Sequence, residues 1–302
     1  MAAAPLTPDD YAPRHDVPVG GRSGFSLIDG RQVHYLEWGA VRAPNVLCLH
    51  GGGQTAYMYE ELGAALAPRF HVVAPDLPNH GDSDPVDLDD TGSRHALAGT
   101  LPALYEHFGI APAVVVGASL GGITAITLGA ARPDLVGGIV LIDIGHRLEE
   151  EGVKRIIEFM RAHESFASLD EAAVEISRYL PHRREVRPES LSRNLRQRPD
   201  GRWIWKHGMA RRWREEGAAD EMPDWRNILE GLADDAASLQ CPVLVLRGGK
   251  SDVLSDQGAA EIAELIPDSR LRTVANAGHL AAGDNPESTV GLVNAFLDEI
   301  AW

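Results

Sequence analysis

Five runs of this chain are apolar almost from end to end: NVLCLH (residues 45–50), FHVVAPD (70–76), AVVVGA (113–118), GIVLID (138–143) and CPVLVLRG (241–248). A strand with one face in water alternates apolar and polar residues, because successive side chains point to opposite faces. Runs without that alternation suit strands buried on both faces, the condition of a parallel sheet held between layers of helices. Helical patterns near 56–67, 93–108 and 119–131 separate the first four runs, as crossover connections between parallel strands require. The fold class expected is α/β, a mostly parallel sheet flanked by helices. Ahead of it, FSLIDGRQVHYLEWG (25–39) holds two β-patterned runs joined at Asp29-Gly30, a dipeptide suited to a tight hairpin turn. Behind it, a helix near 256–265, the run SRLRTVAN and the amphipathic PESTVGLVNAFLDEI complete the rhythm.

That rhythm breaks between His146 and Leu239, where the sequence is helical in pattern, charged and tryptophan-bearing, with no strand-like run of comparable strength. We therefore expect a core domain of residues 25–145 and 240–302, a helical insertion at 146–239, and a Pro- and Gly-rich arm at 1–24. With 302 residues, 44% of them hydrophobic, the chain can bury a sizeable core. No run reaches the roughly 18 to 20 apolar residues that cross a bilayer, and the first residues lack a basic start and a long apolar stretch. A membrane is not an expected partner, and the expected location is the cytoplasm. A formal net charge of -16 also argues against nucleic acid, whose phosphates would be repelled. Against that total, the stretch Arg178 to Arg214 carries twelve Lys or Arg and three Asp or Glu. One reading gives these arginines, with Trp203 or Trp205 as apolar walls of a substrate pocket, the selection of anionic substrates through bidentate hydrogen bonds. The plainer reading makes them solvated partners of an acidic core and the tryptophans anchors of the insertion. Cys48 and Cys241 read as small buried hydrophobes and not as a disulfide.

The pentapeptide GASLG (117–121) places Ser119 between a β-branched run and a helical one, and this context gives a G-x-S-x-G motif its weight. A serine at so sharp a turn takes a strained backbone conformation, so small residues must flank it, and Gly117 and Gly121 do. A serine hydroxyl is a poor nucleophile at neutral pH and needs a base, which in turn needs an orienting carboxylate. His279, in the loop that follows the last strand-like run, is the candidate base. Asp252, in RGGKSDVLS, is the preferred acid because its strand directly precedes the one bearing the histidine; Asp143, ending GIVLID, is the rival that the sequence leaves open. Acyl transfer also needs N–H donors aimed at the developing oxyanion. The side-chain-free backbone of HGGGQ (50–54) suggests the Gly52 N–H as one donor, with the Leu120 N–H, after the nucleophile, as the other. Gly53 is expected to border the substrate. A phosphate-cradling loop is disfavoured because G-K-[ST] is missing from it.

Taken in order, HGGG, APDLPNHGDSD (74–84), GASLG, RGGKSD (247–252) and AGH (277–279) resemble the α/β-hydrolase superfamily over nearly the whole chain. The resemblance implies an eight-stranded sheet, a triad of Ser119, Asp252 and His279, and a lid formed by residues 146–239. One departure is Asn79, where glycine is common; Asn tolerates a left-handed conformation, so the loop survives the change. The serine sets the chain apart from the epoxide hydrolases and haloalkane dehalogenases of the same superfamily, whose nucleophile is aspartate. The expected activity is a serine hydrolase cleaving an ester or lactone of a small to medium organic acid, without metal or organic cofactor. A small-molecule substrate is the expected partner, with a homodimer left open. The alternatives are a cofactor-free carbon–carbon hydrolase of ring-cleavage products and a noncatalytic binding protein on the same fold.

Overall fold

The computed structural model describes residues 17–86, 93–183, 185–207 and 225–300. Strands β1 (Gly21–Ile28) and β2 (Arg31–Trp38) form the expected antiparallel hairpin, and Asp29 and Gly30 both take positive φ (49° and 75°), as its two-residue turn demands. The arm is thus shorter than expected, since pairing begins at Gly21 with Trp38. The apolar runs become β3 (Asn45–Leu49), β4 (His71–Pro75), β5 (Ala113–Ala118), β6 (Val136–Ile142) and, after the insertion, β10 (Val243–Gly248); β11 (Ser269–Val274) closes the sheet. The eight strands lie in the order β1-β2-β4-β3-β5-β6-β10-β11, with antiparallel pairing at β1-β2 and β2-β4 and parallel pairing beyond.

Both faces are covered, which is why the strand sequences do not alternate. Leu47, Leu49, Val73, Val115, Ile139, Leu141, Val243 and Val245 point into one core, under helices α2 (Ser93–Phe108), α3 (Leu120–Ala131) and α7 (Asp256–Leu265). Val46, Cys48, Val72, Ala74, Val114, Val116, Val140, Ile142, Leu244 and Leu246 point into the other, under α1 (Glu60–Leu66) and α9 (Pro286–Glu299). Each of the larger aliphatic side chains removed from water in this way contributes about 1.5–3 kcal/mol. Cys48 is one of these buried hydrophobes, and both cysteines are free.

From β3 the chain runs outward to β4 and then returns to the other side of β3 to form β5. The loops leaving β3 and β5 therefore diverge at their C-terminal ends and leave a crevice, the place where open α/β sheets bind ligands.

The excursion between β6 and β10 is not purely helical. It contains α4 (Glu150–Ala162) and α5 (Leu169–Tyr179), and also a small sheet in the order β7-β9-β8, built from Ser165–Phe166, Trp203–Trp205 and Leu195–Gln197. Strands of two or three residues are too short to show a period, so pairing of distant segments, not local pattern, creates them. The far end of the excursion also differs from expectation. Helix α6 (Leu232–Ala237) packs against α3 and α7, with Leu232, Ala236 and Leu239 in the main core, so these residues belong to the core and not to the insertion.

Candidate active site

Ser119 sits between β5 and α3 with φ 47° and ψ -115°, a conformation that costs a non-glycine residue of order 1–3 kcal/mol and is held only by its surroundings. The surroundings explain the two glycines. A Cβ on Gly117 would lie 2.5 Å from the Gly121 carbonyl oxygen, and one on Gly121 would lie 2.0 Å from that of Leu49. The strand therefore turns into the helix against its neighbour β3 with no room for a methyl group. At the front of the helix the Gly122 and Ile123 N–H groups bond back to the Ser119 carbonyl, and no hydrogen bond among the described residues uses the Leu120 N–H.

The HGGG loop lies directly on this turn: a Cβ on Gly51 would be 3.4 Å from Ser119 Cβ. His50 shapes the loop, its Nδ1–H donating to the Gly51 carbonyl (2.8 Å) and its Nε2 accepting the Leu77 N–H (2.9 Å). Burial, and then the nearby His80, push the His50 imidazole down to about 4, so it is neutral and keeps this one-donor, one-acceptor role. Gln54 closes the loop by accepting the Gly51 N–H. The Gly52 N–H is engaged by no described hydrogen bond, and Gly53 takes a left-handed φ of 74°. The insertion overhangs this point: a Cβ on Gly53 would meet Met160 Cε at 2.9 Å and His207 Nε2 at 3.6 Å.

His279 follows β11, as expected, and its side chain is 9% exposed. Its partner is the rival acid. His279 Nδ1 lies 2.8 Å from Asp143 Oδ2, and Asp143 is fully buried at the end of β6 with φ 51°. The same carboxylate accepts the Gly248 N–H on Oδ1 (2.8 Å) and the Ser251 hydroxyl on Oδ2 (2.5 Å). An ionised carboxylate only accepts, so Nδ1 carries the imidazole proton and Nε2 keeps its lone pair for use as a base.

Asp252, the expected acid, is elsewhere. Its two oxygens take Arg155 of α4 at 2.8 and 2.7 Å, in a pair whose side chains are each 44% exposed. The physical reason is reach: Ile142 and Leu246 are in register at the ends of β6 and β10, so Asp143 emerges beside the sheet edge. Asp252 comes four residues after the end of β10, where its backbone has already turned to pack on Gly152 of α4. Neither Ser251 nor Gly248 stood out in the sequence, and only strand register brings them to Asp143.

Trp203 and Trp205 are half-buried in the insertion's own core with Phe166, Ala172 and Ile176, and the Trp205 Nε1–H donates to the His163 carbonyl. They pack within the insertion, and Trp205 stacks on His207, which lies beside Gly53. The described part of the basic stretch is largely engaged with protein carboxylates. Arg193 binds Glu60 of α1, Lys206 binds Asp82, Arg183 lies 3.7 Å from Asp284, and Arg178 binds Glu175. Arg184 and residues 208–214 lie outside the described residues. These pairs meet carboxylates of the chain itself, and Lys206, 8% exposed, is buried where the plainer reading expected a solvated charge. His34, Asp76 and Asp82 also come together, but as a hydrogen-bonded network: His34 Nδ1 and the Asp82 N–H bond to Asp76 Oδ2, the Ala56 N–H bonds to Asp76 Oδ1, and Lys206 supplies the cation beside Asp82. An open groove of about 440 Å³ lined by Arg31, Pro85, Val86, Ala96 and Thr100 brings no comparable base and nucleophile together; the Thr100 hydroxyl donates to Leu97.

Residues 46–292 match the model of the alpha/beta hydrolase family. The chain belongs to that family. This α/β hydrolase is 30% identical to Esterase Rv0045c of Mycobacterium tuberculosis over 90% of its own length and 88% of the relative's. It is 29% identical to the sn-1-specific diacylglycerol lipase ABHD11 of Mus musculus, over 90% and 84%. A crystal structure of the Mycobacterium tuberculosis esterase superposes with a TM-score of 0.71, covering 92% of each chain. That of E-2-(acetamidomethylene)succinate hydrolase superposes with a TM-score of 0.77 at 23% identity, covering 92% of this hydrolase and 99% of that chain. Among the described residues no helix is long and apolar enough to cross a membrane.

Proposed function

We propose that this hydrolase cleaves an ester or lactone of a small to medium organic acid through an acyl-enzyme on Ser119. The observation that carries the reading is the bond of His279 Nδ1 to the buried Asp143 carboxylate, which orients the imidazole in the loop layer of an elbow serine. In the first half-reaction His279 Nε2 takes the proton of the Ser119 hydroxyl as Oγ attacks the carbonyl carbon. The carbonyl oxygen becomes an oxyanion, for which the free Gly52 and Leu120 N–H groups are the donors; each such donor contributes on the order of 10² to 10³ in rate. The imidazolium, stabilised by Asp143, then gives its proton to the departing alkoxide. In the second half-reaction water attacks the acyl carbonyl as His279 takes its proton, and the imidazolium returns that proton to Ser119 Oγ as its bond to the acyl carbon breaks and the acid leaves.

Residues from α4 and from the segment after β9 cover the Gly53 side of this site, so we assign the insertion the role of a lid. The names of the relatives, an esterase and a diacylglycerol lipase, favour oxygen esters. A relative named 2-(acetamidomethylene)succinate hydrolase, from Mesorhizobium japonicum and 27% identical over 84% of this chain, keeps an anionic acyl group as the second reading. The pairing of Arg178, Arg193 and Arg198 with protein carboxylates weighs against it.

The test is labelling by a fluorophosphonate probe together with turnover of p-nitrophenyl esters, lactones and vinylogous diketones. Ser119 should be labelled, Ser119→Ala should lose both labelling and turnover with unchanged circular dichroism, and esters should be the best substrates. Labelling that survives in the alanine variant removes Ser119 as nucleophile. Turnover confined to the diketones moves the assignment to carbon–carbon cleavage.

A further inference from the structure

We infer that Ser251 is a positioning residue of the triad, whose hydroxyl shares one carboxylate oxygen of Asp143 with His279 and so controls how much of that charge the imidazole receives. The inference rests on the triad reading above.

The geometry is a directed chain of hydrogen bonds. The Val253 and Leu254 N–H groups both donate to Ser251 Oγ at 3.2 Å, and the Ser251 hydroxyl donates to Asp143 Oδ2 at 2.5 Å. His279 Nδ1 approaches the same Oδ2 at 2.8 Å. With two donors at its oxygen, Ser251 has its single proton directed at Asp143, and those donors polarise the O–H further. The Gly248 N–H holds the other carboxylate oxygen. Three donors from two different loops thus fix a side chain that has no exposed surface.

Hydrogen bonds to a carboxylate favour its charged form and draw charge toward the donor. Two effects follow when the hydroxyl is removed. More charge on Oδ2 is left facing His279, so the imidazolium is held more firmly and a higher pH is needed to free the base. The carboxylate also loses one of its three fixings, so the imidazole is less well oriented. Among the described residues the charged groups on the elements packed around Asp143 have other partners: Arg247 binds the Leu254 carbonyl and Asp256, and the buried Asp284 accepts the Gly278 N–H with Arg183 3.7 Å away. Asp252 is held by Arg155, Lys250 is exposed, and His182 of the lid sits against Gly278, with its Cδ2 3.2 Å from where a Cβ there would lie.

The readout is the second-order rate of fluorophosphonate labelling of Ser119 against pH, which does not depend on knowing the substrate. In Ser251→Ala the neutral-pH rate should fall on the order of 10-fold, and the acid limb of the profile should move toward neutral pH. Ser251→Thr, which keeps the hydroxyl, should restore both. Ser251→Cys, nearly the same shape with a weaker donor, should fall between alanine and wild type, and serves if the alanine variant does not fold. An unmoved acid limb in Ala or Cys, whether or not the rate or the melting temperature falls, assigns Ser251 a packing role and overturns the inference, as does a threonine variant that behaves like alanine. Absence of labelling in the wild-type protein overturns the triad reading and the inference with it, an outcome distinct from normal labelling with an unaltered Ser251→Ala profile.

Discussion

Asp143→Asn preserves the shape of the buried carboxylate and removes the charge that faces His279 Nδ1. Turnover should fall on the order of 10³- to 10⁴-fold, with folding retained. Asp252→Asn breaks a half-exposed ion pair with Arg155, worth about 1 kcal/mol at most, so turnover should stay within a few-fold of wild type. Steady-state kinetics on any ester the wild type accepts separates the two, and a crippled Asp252→Asn beside an active Asp143→Asn would reverse the assignment. The contrast also marks what was legible at this scale. Ser119 could be read because its glycines are demanded by local backbone packing, and His279 because a loop after the last strand is the place for it. The acid could not, because both aspartates follow apolar strands, and the choice depends on how far each loop has travelled from a sheet edge whose register is set by residues a hundred positions away.

The turn from β5 into α3 works as an element only while its glycines stay bare. Gly121→Ala would put a methyl group 2.0 Å from the Leu49 carbonyl oxygen, a backbone atom in a central strand, whereas a Cβ on Gly99 in α2 meets nothing within 4 Å. Urea unfolding should therefore show a loss of about 3 kcal/mol or more for Gly121→Ala, and for Gly99→Ala no loss or a gain of up to about 1 kcal/mol. Equal effects would mean that β3 can yield to the elbow. Element type was readable wherever a run was long and its burial uniform, as in the five apolar strands. It was not readable in the insertion, where Ser165–Phe166, Leu195–Gln197 and Trp203–Trp205 become strands only by finding one another across intervening chain. The same holds for α6, whose place in the core follows from its contacts with α3 and α7 and from no signal of its own.

Across the whole molecule, insertion and core meet over buried histidines. His207 forms an isolated bridge with His80, their rings are 6.2 Å apart, and His80 packs on His50. Burial, and then the neighbouring His80, push His207 down to about 3, and burial lowers His80 as well, while His50 stands at about 4. In the unfolded chain the same groups take up protons as the pH falls through about 6.5. Between that pH and their folded values the unfolded state binds more protons, so stability falls as the pH falls, by up to about 1.4 kcal/mol per pH unit for each proton. Melting temperature should drop from pH 6.5 toward 4, and His207→Phe should flatten the drop. A slope unchanged by that substitution would show that the histidines do not control it. At Asp76, burial works to raise the carboxyl, but the hydrogen bond and charge of His34 outweigh it and lower it; its contribution is present above the ordinary carboxylate range and is lost only at more acid pH. The chain leaves the sheet just after Asp143 and, by way of the insertion, α6 and β10, comes back to Gly248 and Ser251, both of which bond to the Asp143 carboxylate. Asp143 thus acts as a clasp between the ends of the neighbouring strands β6 and β10, separate from the insertion, which has already rejoined the core at α6. Because the clasp is made by strand ends alone, a graft of another insertion between about residues 150 and 225 should leave the bonds of Gly248 and Ser251 to Asp143 in place.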